Sequence, residues 1–121
     1  MSLKATCHCG KVSFTLSRSP VDLGSCNCSI CRRLAGLWGY YTESEVELHF
    51  DENQTSTYVQ GDKCLRIHTC RTCGCTTHWD GVEGYGRGPE GEDPRMAVNC
   101  RLLEPDDVKV IKVREIDGAS W

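Results

Sequence analysis

Cys70-Arg71-Thr72-Cys73-Gly74 is the stretch on which the reading of this chain turns. Two thiols three positions apart, followed by glycine, form a knuckle. The chain turns tightly, both sulfurs converge, and Gly74 tolerates the backbone dihedral that aims N–H groups at the thiolates. Two sulfurs are half of the tetrahedron that a structural zinc ion requires. The other half must come from elsewhere in the chain, and two sources stand upstream. They are Cys7-His8-Cys9-Gly10 and Cys26-Asn27-Cys28-Ser29-Ile30-Cys31. In an extended strand, residues i and i+2 project from one face. Cys7 with Cys9, and Cys26 with Cys28, are therefore expected each to aim two sulfurs at one ion.

Pairing Cys7/Cys9 with Cys70/Cys73 would close one four-thiolate site and tie the start of the chain to a segment roughly sixty residues on. That leaves Cys26, Cys28 and Cys31, three thiolates with an open fourth position, which is the pattern of catalytic zinc. Ligand counting alone leaves an alternative open. The triplet could recruit His68, His78, Cys64, Cys75 or Cys100 and become a second closed site.

The surrounding composition favours metal over disulfides. Ten cysteines in 121 residues, about 8%, approach the level that marks disulfide scaffolds in secreted chains. Met1-Ser2-Leu3-Lys4 carries neither a basic run nor a hydrophobic core, so secretion is not expected and the cytoplasm is the expected location. There the same cysteines read as ligands. The chain is expected to be one domain over 1–121, and with only 7% aromatic residues its core needs a staple. No stretch approaches the length of a membrane span, so no membrane partner is expected. The formal net charge is −3, and seven thiolates with two zinc ions would take it to about −6. That argues against a nucleic-acid partner.

Short β segments separated by turn residues fill the chain. Strands are expected at Ala5–Cys9, Val12–Leu16, Leu23–Cys28, Leu37–Thr42, Glu45–His49, Thr55–Val59, Leu65–Thr69, Thr76–Trp79, Arg95–Asn99 and Lys109–Val113. Short helical turns are expected at Ser29–Leu34 and Glu104–Val108, the second opened by Pro105. Five glycines among the eleven residues from Gly81 to Gly91 mark a loop. A plain connection is its first reading and a flap over a site its second.

At the cysteine clusters the chain resembles the glutathione-dependent formaldehyde-activating enzyme family, which includes centromere protein V-like proteins. The matching pieces are Cys7-His8-Cys9-Gly10-Lys11-Val12, Cys26-Asn27-Cys28-Ser29-Ile30-Cys31-Arg32-Arg33 and Cys70-Arg71-Thr72-Cys73-Gly74. Met96-Ala97-Val98-Asn99 and Leu102-Leu103 resemble the family's closing segment. The resemblance implies a mainly β, β-tent fold of small antiparallel sheets. It implies a structural zinc on Cys7, Cys9, Cys70 and Cys73, and a catalytic zinc on Cys26, Cys28 and Cys31; of the two, the three-thiolate site is expected to lose its metal more easily to a mild chelator. The implied activity is that of a carbon–sulfur lyase, which adds glutathione to formaldehyde to give S-hydroxymethylglutathione. Cys75 stands where many relatives carry Ser or Thr.

Glutathione is anionic, so Arg32 and Arg33, directly after Cys31, are the candidate substrate contacts, with Lys63 and Arg66 behind them. His8 is expected to point away from the ligands. His68 and His78 read first as packing residues and second as proton carriers. Trp38, Tyr40 and Tyr41 read as core. Two competing functions remain at this stage. One is a non-catalytic zinc module for protein interaction. The other is a metal or redox sensor using Cys64, Cys75 and Cys100.

Overall fold

The structure, a computed structural model, describes residues 3–59, 65–81 and 95–120. Lys63, Cys64 and all of the glycine-rich segment except Gly81 lie outside them. Among the described residues there are ten strands: β1 Leu3–Thr6, β2 Ser13–Leu16, β3 Leu23–Cys26, β4 Trp38–Thr42, β5 Val46–His49, β6 Thr55–Val59, β7 Leu65–Cys70, β8 Thr76–Gly81, β9 Arg95–Asn99 and β10 Val113–Ile116. Two single-turn helices accompany them, α1 Cys31–Leu34 and α2 Pro105–Val108. The mainly β expectation is met. The sheets are unequal, one of three strands in the order β1-β2-β5 and one of seven in the order β10-β3-β4-β9-β8-β7-β6. All the pairings are antiparallel except β3 with β10. Among the described residues no helix is long and apolar enough to cross a membrane.

Each face of the large sheet carries its own core. Between the two sheets, Leu3, Ala5, Phe14, Leu16 and Val46 of the small sheet meet Leu23, Tyr41, Met96 and Val98 of the large one. Alternation along β2 produces this directly, since Phe14 and Leu16 are fully buried while Thr15 between them is partly exposed. The opposite face is set by register. Gly24 lies opposite Trp38, Tyr40 opposite Ala97, Ala97 opposite Trp79, and Trp79 opposite Ile67, so all share one face. Trp38, Ile67, Trp79 and Ala97 form the second core, and α1 covers it with Cys31 and Leu34.

Two expected strands are corrected. Ala5–Cys9 ends at Thr6, because Cys7 to Gly10 form a tight turn closed by the Gly10 N–H on the Cys7 carbonyl at 3.1 Å. Lys109–Val113 is the exit from α2 rather than a strand. The Lys109 N–H bonds back to Pro105 and that of Ile111 to Val108, and pairing with β3 starts only at Val113. The apolar alternation there came from turn residues, and Val110 is 80% exposed.

Candidate metal centres

The four sulfurs of Cys7, Cys9, Cys70 and Cys73 lie within 4.8 Å of one another. Neither pair is presented by a flat strand, contrary to the i, i+2 argument for Cys7 and Cys9. Both are knuckles of the same design. Gly10 and Gly74 each close a turn in the left-handed region, at φ +84° and +80°, and neither tolerates a side chain without strain. The Gly74 N–H bonds to the Cys70 carbonyl at 3.0 Å, as that of Gly10 does to Cys7. These turns expose N–H groups to sulfur. Val12 donates to Cys7 at 3.3 Å, and the Gln54 side chain donates to Cys70 at 3.5 Å.

The electrostatics follow from four thiols held so close. Burial opposes charge on Cys73, but backbone N–H groups of Cys75 and Cys9 hold its pKa down to about 5. Burial likewise opposes charge on Cys70, and N–H groups of Cys73 and Thr72 draw it below the ordinary thiol value. At Cys9 the Lys11 N–H favours the thiolate, yet desolvation and the sulfurs of Cys7, Cys70 and Cys73 push it up to about 11. Some of the sulfurs are prepared as anions, and a neighbour must then keep its proton unless a cation takes its place. Cys7 Sγ to Cys9 Sγ is 3.6 Å and Cys9 Sγ to Cys70 Sγ is 3.7 Å. The edge of a tetrahedron with zinc–sulfur distances of about 2.3 Å is about 3.8 Å. The spacing suits an ion and is far from a disulfide, and the described cysteines are all free.

The second cluster sits on the other face of the large sheet. Cys26 ends β3, Cys28 follows it, and Cys31 opens α1, with their three sulfurs within 4.8 Å of one another. Among the described residues no fourth ligating side chain joins them. The Cys31 N–H donates to Cys28 Sγ at 3.4 Å. Burial opposes charge on Cys28, but this bond and its neighbours lower its pKa. Burial, with Cys28 and Cys26 nearby, pushes Cys31 up to about 12. The Trp38 indole N–H is buried without a conventional partner among the described residues, yet it favours thiolate at Cys31. The orphaned donor beside the sulfur supports a weak N–H···S interaction.

Both clusters could hold metal ions. Of the alternatives left open by ligand counting, His68, His78, Cys75 and Cys100 do not join the triplet, and Cys64 lies outside the described residues. His68 and His78 stack at 4.0 Å, and Phe14 and Phe50 pack edgewise and tilted on His78. His68 is bound between Thr55 and Asp80, at 3.0 and 3.1 Å. Burial depresses the pKa of His78 to about 3, so it is a neutral core residue. Cys100 is fully buried with its thiol toward the Val98 carbonyl, and burial lifts it to about 12. Cys75 lies beside the four-cysteine centre, where the His8 N–H favours its thiolate but burial and the Cys73 sulfur raise its pKa. His8 itself is exposed. Arg33 turns back onto the Ser29 carbonyl at 2.6 Å, Arg32 is exposed, and Arg66 is paired with Asp80 at 2.9 Å.

His78 gives a pH prediction. The folded state keeps it neutral down to about pH 3, whereas the unfolded chain protonates it near 6.5. Stability is therefore lost as pH falls from 6.5 toward 3, by about 1 kcal/mol between 6.5 and 5.5. Urea unfolding should show that increment in the wild type and not in His78→Gln, the thiolate contribution being common to both. An equal slope in the two would remove His78 from the account.

Sequence reasoning missed the walls of the triplet. The Asn27 side chain donates to Asp117 at 2.9 Å and accepts from the Ala119 N–H at 2.9 Å, and Ile116 lies opposite Cys26. This staple holds the segment after β10 against the sulfurs so closely that a Cβ on Gly118 would lie 2.5 Å from Cys26 Sγ. Tyr40, read as core, is only half-buried, and burial raises its pKa to about 12 with Cys26 and Cys31 contributing. Only the Asp117-Gly118 turn signal could have drawn attention to the segment.

A family model described as glutathione-dependent formaldehyde-activating enzyme matches residues 2–91, which include both cysteine centres. The chain belongs to that family. A Halomonas elongata protein, provisionally named as a glutathione-dependent formaldehyde-activating enzyme, is 49% identical over 41 residues. That match covers 33% of this chain and 26% of the relative's length. A crystal structure of a Rhodobacter sphaeroides protein superposes with a TM-score of 0.68 at 26% identity, covering 93% of this chain and 100% of the other. Family membership thus rests on the segment that carries both cysteine clusters, and the likeness of fold extends over nearly the whole chain.

Proposed function

We propose that this chain is a zinc-dependent enzyme of carbon–sulfur lyase type, which adds glutathione or a related thiol to formaldehyde or another small aldehyde. With formaldehyde the product is S-hydroxymethylglutathione. Cys7, Cys9, Cys70 and Cys73 hold a structural zinc, and Cys26, Cys28 and Cys31 hold the catalytic one. The observation that carries this reading is the inequality of the two centres, four converging sulfurs in one and three in the other. Membership of a family described by glutathione and formaldehyde supports the choice of substrates.

Cys26, Cys28 and Cys31 would hold a zinc ion with a coordination position to spare, and that position would let a thiol ionise near neutral pH. Three anionic sulfurs neutralise the ion and make it a weak Lewis acid, so the triplet favours thiol capture over polarisation of the aldehyde. Arg32 and Arg33 place positive charge directly after Cys31, where glutathione carboxylates would meet it. A reducing compartment such as the cytoplasm keeps these thiols available.

Calorimetry with glutathione and S-methylglutathione tests the reading. Glutathione should bind at least tenfold more tightly, because only it can supply a thiolate. Binding should release a proton, seen as an observed enthalpy that varies with the ionisation enthalpy of the buffer. Affinity should rise with pH until free glutathione itself ionises, at about pH 8.5–9 for an unperturbed thiol. Equal affinity for both ligands, or no binding of either at millimolar concentration, would defeat the assignment.

A further inference from the structure

The face of the large sheet that carries Cys26 also carries an oxygen donor with no acceptor among the described residues. Asp22, Gly24 and Cys26 alternate onto this face from β3 and its approach, as Trp38 and Tyr40 do from β4. Arg114 and Ile116 of β10 lie opposite Gly24 and Cys26. The Tyr40 ring leans on Trp79 at 6.3 Å and reaches over β3, where a Cβ on Gly24 would collide with the Tyr40 hydroxyl. The hydroxyl therefore sits above Gly24, two residues from Cys26. That is about 7 Å along the strand, a distance spanned by a sulfur–carbon–oxygen unit and one hydrogen bond. Among the described residues the hydroxyl has no acceptor. Arg114, held by Asp22 at 3.1 Å, and Cys26 both lie within electrostatic range of it.

We propose that the Tyr40 hydroxyl donates the hydrogen bond that stabilises the aldehyde oxygen while a thiolate held at Cys26, Cys28 and Cys31 adds to the carbonyl carbon. The proposal rests on the thiol-addition reading above and extends it to the second substrate. The thiol has given its proton to solvent on binding. Its sulfur lone pair forms the new carbon–sulfur bond, and the π pair of the carbonyl moves onto oxygen beneath the Tyr40 O–H. A proton from water completes the hydroxyl group. Thiol and aldehyde sum to the hemithioacetal with no other reactant. Burial keeps Tyr40 protonated to about pH 12, so the group is a donor throughout the working range. A donor fixed before the charge develops is the arrangement that stabilises an oxyanion best.

Tyr40→Phe removes one oxygen and keeps the ring. The addition rate should fall about 10²-fold, the scale of losing one oxyanion donor, with thiol affinity unchanged within twofold. A rate within threefold of wild type would overturn the proposal. Absence of turnover in the wild type would sink the reaction assignment alone, and equilibrium binding to the zinc-loaded protein then decides on Tyr40. The ratio of affinities for 2-mercaptoethanol and ethanethiol isolates a hydroxyl near the bound sulfur. That ratio should drop about fivefold in Tyr40→Phe, the scale of one hydrogen bond. An unchanged ratio overturns the role. Gly24→Ala, whose methyl displaces the hydroxyl, should reproduce both effects and serves if the Phe variant fails to fold.

Discussion

Cys73→Ser is expected to leave a chain without a cooperative unfolding transition at 25 °C, recovered without its tightly held metal. The small core between the sheets includes Cys7 and Cys70, two of the four converging thiols, among its buried members. Cys9 and Cys70 are 61 positions apart, and no strand pairing joins the small sheet to β7. Closing a loop of that length costs roughly 4 kcal/mol in chain entropy. Structural zinc sites release about 10–16 kcal/mol on binding, against a total stability of about 5–15 kcal/mol for an ordinary domain. Serine is a poor replacement for the thiolate that the Cys75 and Cys9 N–H groups prepare at Cys73. Cys28→Ser, in a triplet that covers a face already packed by Trp38 and Trp79, should stay folded and lose only the labile metal. Circular dichroism on melting, with zinc quantified per chain, separates the two. If both variants unfold alike, the triplet is structural as well.

The contrast between these two centres was legible in the sequence because knuckles are local. Cys70 to Gly74 and Cys7 to Gly10 each fix two sulfurs within one turn, and a glycine at positive φ is visible as a letter. What the letters hid was how the pairs are presented. Cys7 and Cys9 look like strand residues because Ala5 and Thr6 before them are, yet the Gly10 N–H folds the chain back. At Lys109–Val113 the apolar residues fall at 110, 111 and 113, an imperfect pattern that by itself could not tell a strand from a helix exit. The surroundings of the triplet were illegible for a different reason. Asn27 meets Asp117 and Ala119 across 90 and 92 positions, and the pairing of β10 with β3 that brings them together is parallel. Nothing in a local window encodes such a crossover. Tyr40 was read as core for the same reason, since its exposure depends on Gly24 leaving room above β3.

That crossover yields the second large expected effect. In Gly118→Val the metal at the triplet should bind more than 100-fold more weakly, while the four-cysteine centre and the fold survive. A side chain at 118 must occupy the space of Cys26 Sγ, at 2.5 Å, and crowds Cys28 Cβ, at 3.2 Å. Either the sulfur moves or the segment does. The segment is fastened on both sides by Asn27, through its own N–H to Ile116 at 3.1 Å and its side chain to Asp117 and Ala119. The Ser120 hydroxyl braces Asp117 at 2.6 Å. Cys26 is a terminal side-chain atom at the end of β3 and yields first. Displacing one of three ligands should cost more than the roughly 10–100-fold typical of changes that only touch a ligand from outside. Titration with cobalt of protein stripped only of its labile metal, read by its thiolate charge-transfer band, reports the triplet separately from the tighter centre. A chain ending at Ile116 is the companion variant, since it removes the segment without placing anything against Cys26. It should keep the metal and gain access for bulky thiols. Retention of wild-type affinity in Gly118→Val, with the Asn27 staple broken, would show that the segment lies on the site without shaping it.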